Sequence, residues 1–193
     1  MIRGMTVSKL SEILIENPVI AAIRNEKDLP EVMKSSAEIV FVLHGSVMNI
    51  KHICDSLRSK NKLVFIHIDM LEGLRNDMAG LEFIKKYAEP YGIITTKPTS
   101  VKQAKQLGLS TIQRIFIIDS LSLETGIKNI KDVVPDAVEV MPGIASKIFN
   151  IIEKEVHIPI IAGGLINSKK DVIEALGNGA VAISTSNSEL WDM

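Results

Sequence analysis

Cysteine is almost absent: Cys54 is the only one in 193 residues. No internal disulfide can form, and a reducing, cytoplasmic setting is the expectation. No run reaches the ~18 consecutive apolar residues of a membrane span, so no membrane partner is expected. The start, Met1 to Thr6, lacks the long apolar stretch of a secretory signal. Excess charge is also missing. The net charge of −1 gives no reason to expect non-specific binding of polyanions. No HxH, HExxH or CxxC spacing suggests a metal, no GxSxG elbow occurs, and no lysine sits mid-strand where a Schiff base would form. Neither a metal nor a cofactor is expected. Carboxylates and histidines at strand ends leave acid–base chemistry open, but no committed catalytic pair is visible.

What is present is core-forming material. The chain is 46% hydrophobic, enough for one sizeable core and one domain over residues 1–193. Eight short β-branched runs recur: Val19–Arg24, Ile39–Leu43, Leu63–Asp69, Gly92–Thr96, Thr111–Ile118, Ala137–Met141, Pro159–Gly163 and Ala180–Ser184. Both alternating faces of each run are apolar, as in strands buried between a core and a helix layer. Segments with helical spacing lie between them, such as Val47–Lys60 and Gly143–Val156. Strict strand–helix alternation implies crossovers and a parallel sheet. Eight units favour closure into a single α/β (β/α)8 TIM barrel. A doubly wound sheet would carry its Gly-rich turn after the first strand, where this chain reads Ile23-Arg24-Asn25-Glu26.

At this length the helices must be short. Thr6–Glu16 reads as an N-terminal amphipathic helix capping the barrel's base. The tail Asn187–Met193 is too short for a full last helix. A partner chain covering that flank makes a homodimer a hypothesis.

In such a barrel the C-terminal strand ends line the site. The last two strands end in Gly163-Gly164 and in Ser184-Thr185-Ser186-Asn187. Glycines let the backbone approach a ligand, and free N–H groups at a helix start favour an anion. Together these turns suggest a small phosphorylated ligand. Asp69 and Glu139 interrupt apolar strands, and unpaired buried charge is costly. They are candidates for holding ligand hydroxyls, with Arg24 and Lys97 balancing them or touching phosphate. Glu139 paired with Arg24 or Lys97, Asp69 capping a turn, and His67 as a core histidine are the structural readings of the same residues. His44 carries no specific signal.

The segments His67-Ile-Asp69-Met-Leu-Glu-Gly73, Gly92-Ile-Ile-Thr-Thr-Lys97, Gln113-Arg-Ile-Phe-Ile-Ile-Asp119-Ser120, Glu139-Val-Met-Pro-Gly143 and Pro159-Ile-Ile-Ala-Gly-Gly-Leu-Ile166 resemble those of the glycerol uptake operon antiterminator regulatory proteins. The resemblance implies a barrel that senses glycerol 3-phosphate and binds leader messenger RNA so that transcription passes a terminator. On that reading Gly143, Gly163, Gly164, Thr185 and Ser186 hold phosphate. Asp69 and Glu139 hold the glycerol hydroxyls, and Arg24 and Lys97 supply charge. RNA contact needs a basic surface. Lys85, Lys86, Lys102 and Lys105, with Lys97, are candidates, and a second cluster holds Arg58, Lys60 and Lys62. Their alternative reading is a solvated helix face. Two other functions stay open. One is an isomerase, synthase or transferase acting on a small phosphorylated substrate. The other is a metabolite sensor that acts on a protein partner.

Overall fold

The computed structural model describes residues 9–193. Helix α1 (Lys9–Glu16) leads into β1 (Val19–Ile23), followed by α2 (Leu29–Val32), β2 (Ile39–Val42), α3 (Ile50–Arg58), β3 (Leu63–His67), α4 (Met78–Tyr87) and β4 (Gly92–Thr95). The second half runs α5 (Pro98–Gln106), β5 (Ser110–Phe116), α6 (Ser120–Val133), β6 (Ala137–Met141), α7 (Lys147–Val156), β7 (Ile160–Gly163), α8 (Lys169–Gly177) and β8 (Ala182–Thr185). Each strand pairs in parallel with its sequence neighbour, and β8 returns to β1, closing the barrel. This is a single (β/α)8 barrel. Closure leaves no strand edge, so every strand backbone is paired on both sides.

Two-faced burial follows from the apolar runs. One alternation set points inward: Ile20, Phe41, Phe65, Ile94, Ile112, Ala137, Ile161 and Ala182 share one buried cluster. The other set, including Val40, Val64, Val138 and Ile183, packs under the helices. Leu10 and Leu14, one turn apart on α1, are buried in the inward cluster, so α1 stops the barrel's base. The described part of the expected helix begins at Lys9, and Thr6–Ser8 lie outside the described residues.

Some element boundaries differ from expectation for local reasons. Helix α3 starts at Ile50, not Val47, because the Val47 amide donates to the Glu72 carbonyl at 3.0 Å. Helix α7 starts at Lys147, not Gly143. The Gly143 amide turns back toward the carbonyls of Gly163 (2.6 Å) and Gly164 (3.1 Å). Asp69 is not on β3, which ends at His67. It sits in a 3₁₀ turn, Ile68–Met70.

The flank after β8 is also not open. The tail forms a 3₁₀ turn, Ser188–Leu190, and buries Leu190 and Trp191. The Trp191 indole donates to the Thr185 carbonyl at 2.9 Å, and the Ser36 amide donates to Asp192 at 2.6 Å. The chain covers its own flank, so the case for a homodimer built on that flank fails. Cys54 is buried in α3, and burial pushes its thiol up to about 12. It is a packing residue with no reactive thiolate at neutral pH.

Candidate functional site

The inward position above the apolar layer is polar on several strands. Arg114 on β5 stands in register with Glu139 on β6. Its Nε donates to Glu139 Oε2 at 2.6 Å, and Ser184 Oγ on β8 donates to Oε1 at 2.5 Å. Glu139 is fully buried, so each carboxylate oxygen has a partner and the charge is balanced within the protein. Gly163 on β7 makes room for it. A Cβ at that position would stand 2.5 Å from Oε1.

These contacts correct two expectations. Glu139 pairs with Arg114, not with Arg24 or Lys97, and its oxygens are not free for ligand hydroxyls. Gly163 is a clearance residue for Glu139. The rule that singled out Glu139, a charge inside an apolar strand, applies equally to Arg114, which the sequence reading passed over.

Above this network lies a cavity of about 400 Å³ at the rim of β7, β8 and β1. Arg24, Arg114, Gly164, Leu165, Ser184, Thr185 and Ser186 line it, and its lining holds no carboxylate. Arg114 uses Nε toward Glu139, and its two remaining guanidinium nitrogens have no hydrogen-bond partner among the described residues. The side chain of Arg24 has no ion-pair partner among the described residues. Gly164 and Leu165 both take left-handed φ values, +75° and +61°. For leucine this conformation is uncommon and costs about 1–3 kcal/mol, of the kind held at binding sites. The amides of Gly164, Leu165 and Ser186 have no acceptor among the described residues.

The turns around the cavity are tied together. Thr185 Oγ1 donates to the Ile166 carbonyl at 2.7 Å and accepts the Asn187 amide at 3.1 Å, while Asn187 Nδ2 donates to the Asn167 carbonyl at 3.0 Å.

Of the five residues expected to hold phosphate, Gly164, Thr185 and Ser186 line this cavity, and Gly143 and Gly163 do not. The Gly143 amide is already bonded to the β7 turn, and the Thr185 hydroxyl is taken. The start of α8, which follows the β7 turn, is not free either. Asp171 accepts the Asn167 and Ser168 amides at 3.0 and 2.9 Å, capping α8 from within. The donors left for an anion are therefore turn amides, the Ser186 hydroxyl and two guanidinium groups.

Asp69 lies elsewhere on the rim. It accepts from Thr95 Oγ1 at 3.1 Å, the Thr96 amide at 2.7 Å, Thr96 Oγ1 at 3.0 Å and Asn76 Nδ2. Lys97 Nζ stands 3.9 Å from it. Asp69 thus joins the β3 and β4 loops, and neither it nor Lys97 lines the cavity between β7, β8 and β1. His44 lines an adjoining cavity of about 650 Å³ that shares Arg24.

The basic clusters are largely engaged. Lys85 Nζ donates to the Leu107 carbonyl at 2.5 Å, Lys105 Nζ to the Val134 carbonyl, and Lys102 pairs with Asp132 at 2.9 Å. Lys62 is buried on the carbonyls of Ser35 and Ala37, at 2.6 and 2.7 Å, and Arg58 pairs with Asp55 and Glu89. These side chains fasten helix ends and do not form an open cationic face. Lys86 and Lys60 have no partner among the described residues.

His67, inward on β3, is buried with Nδ1 unpartnered. Burial, reinforced by the nearby Arg114 charge, lowers its pKa from 6.5 to about 4. The imidazole is neutral in the folded protein at neutral pH. The unfolded chain binds the proton first as pH falls, so stability drops through the window from about 6.5 to about 4. The expected His67 contribution is a loss of about 2 kcal/mol between pH 7 and pH 5. Urea denaturation of His67→Gln at both pH values checks this: the variant should lose that much less than the parent. An identical loss in both proteins would remove His67 as the source.

Comparison with known proteins places this geometry in context. Residues 19–191 match the profile of the family described as glycerol-3-phosphate responsive antiterminator. The uncharacterized protein YgcP of Escherichia coli (strain K12) is 35% identical over 184 residues, 95% of this chain and 96% of that protein. The crystal structure of a glycerol uptake operon antiterminator regulatory protein from Listeria monocytogenes str. 4b F2365 superposes with a TM-score of 0.88 at 32% identity, covering 98% of each chain. A glycerol uptake operon antiterminator-related protein from Thermotoga maritima MSB8 gives a TM-score of 0.83 at 34% identity, covering 92% of this chain and 99% of that one.

Proposed function

The chain belongs to the glycerol-3-phosphate responsive antiterminator family, a family of regulators and not of enzymes, and from that premise we propose that it binds glycerol 3-phosphate in the cavity between β7, β8 and β1 and, in response, the leader messenger RNA of glycerol-utilisation operons. One observation carries the ligand half of this reading: two arginines line a cavity that holds no carboxylate. Because Glu139 balances one guanidinium from below, Arg114 is fixed in place while its outer nitrogens stay available. Charge-assisted bonds from preoriented guanidinium groups are strong and match phosphate geometry. The Ser186 hydroxyl and the Gly164 and Leu165 amides add donors suited to the same group. The few remaining polar contacts suit a short polyol. Ligand binding changes RNA affinity only through unequal affinity for two states of the protein.

Titration calorimetry tests the reading. Glycerol 3-phosphate should bind, glycerol alone should give no measurable heat, and Arg114→Met should weaken binding about tenfold or more. Equal binding of glycerol and glycerol 3-phosphate would overturn the phosphate assignment. RNA retention that is the same with and without the ligand would overturn the regulatory half.

A further inference from the structure

A second cavity, of about 440 Å³, opens between the end of β5 and α6. It lies outside the anion site, though Arg114 lines both. Gln113 closes its inner end, buried to 1% exposure, and its Oε1 has no hydrogen-bond partner. A buried acceptor without a partner is costly, and few are tolerated. Its presence at a cavity wall points to a group supplied from outside. Thr125 and Asn129 on α6 add side chains with no partner among the described residues. Phe116, Ile118 and Leu121 form the mouth, at 52%, 88% and 70% exposure. Asp119 and Ser122 also line it, but they are bonded to each other in the cap of α6.

We propose that this cleft receives one unstacked nucleobase of the bound RNA, stacked on Phe116 and hydrogen-bonded at its edge by the Gln113 carboxamide. The inference rests on the RNA-binding reading and names the contact that reading lacks. Carboxamides pair two-point with the donor–acceptor edges of bases, and single-stranded RNA is commonly read by aromatic stacking with edge contacts. An extended peptide is a poorer match. The main chain of β5 is already paired with β4 and β6, so the cleft offers no strand edge for a peptide to extend. A cation suited to an adjoining phosphate follows along the chain, since Lys97 comes directly after Thr96, which lines the cleft.

The probe is the RNA that the full chain retains from a random 40-nucleotide single-stranded library in the presence of glycerol 3-phosphate, read by fluorescence anisotropy. Phe116→Ala should weaken its binding about tenfold or more, and Phe116→Trp should restore it. Gln113→Met, close in size but without the carboxamide, should weaken it about tenfold and broaden the preference at one base. Unchanged thermal midpoints would show that the fold is kept.

If RNA is retained and both Phe116→Ala and Gln113→Met bind it like the parent, the cleft is overturned while the RNA reading stands. If no RNA is retained at low salt, the RNA reading fails and the cleft falls with it. If Phe116→Ala dissociates an oligomer in sedimentation and leaves RNA affinity intact, the cleft holds a second copy of the chain and the proposal is wrong.

Discussion

Glu139→Ala is expected to lower the unfolding free energy by roughly 3–5 kcal/mol, the largest stability effect of any single truncation at the site. The carboxylate is fully buried and bonded to Arg114 Nε and Ser184 Oγ. Removing it leaves a guanidinium in the barrel with no counter-charge, and desolvation of an unpaired ion dominates the cost. The loss of the Ser184 acceptor adds to it. A second variant separates pairing from packing. Arg114→Met combined with Glu139→Leu removes both charges, and apolar replacement of a complete buried pair is often close to neutral. The double variant should recover most of the lost stability and still fail to bind glycerol 3-phosphate. Urea denaturation and calorimetry of the three proteins check this. If Glu139→Ala loses less than about 1 kcal/mol, the pair is not holding Arg114 as described.

Gly164→Asp should have the largest effect on ligand binding with the fold kept. The residue has φ +75°, and a Cβ there meets only Met141 atoms at 3.6 Å or more. Asp is among the residues that accept left-handed φ most readily, so the backbone cost is small. The carboxylate, however, enters a cavity whose attraction for an anion comes from Arg24 and Arg114. It would pair with them and repel the ligand. One charge pair at about 5 Å with an effective dielectric of about 20 is worth about 3 kcal/mol, and the ligand phosphate carries more than one charge. Glycerol 3-phosphate affinity should fall at least about 100-fold. Gly164→Ala is the control for the backbone, and its affinity should stay within about tenfold of the parent. Parent-like binding by Gly164→Asp would place the anion elsewhere.

Both variants act on features of very different visibility in the sequence. Gly164 is evident there, because two glycines ending a β run near the close of a βα chain mark a close backbone approach. The dependence of Glu139 on Arg114 is not. A carboxylate within Ala137–Met141 shows that a partner is needed, and Arg24 and Lys97 are the cations that stand at strand ends in the sequence. The β5–β6 register instead brings Arg114 opposite Glu139. Asp69 shows the same limit. Its sequence position gives a carboxylate near the rim, but Thr95, Thr96 and Asn76 take its oxygens. The lysines of α4 and α5 read as a basic stripe, yet Lys85 and Lys105 reach forward to carbonyls at the ends of the next helices, α5 and α6.

By itself the sequence determined the closed eight-stranded barrel, the helix that stops its base, and the two turns that border the cavity between β7, β8 and β1. Those features depend on periodicity and backbone freedom, which are properties of short segments. Only the tertiary structure decided which cation meets Glu139, which amides stay free around Gly164, that the tail covers β8 and β1, and that Gln113 faces a cleft with an unpartnered oxygen. Each of these outcomes turns on atoms within about 3 Å that are tens of residues apart along the chain, and hydrogen-bond geometry falls off too steeply for spacing alone to fix it.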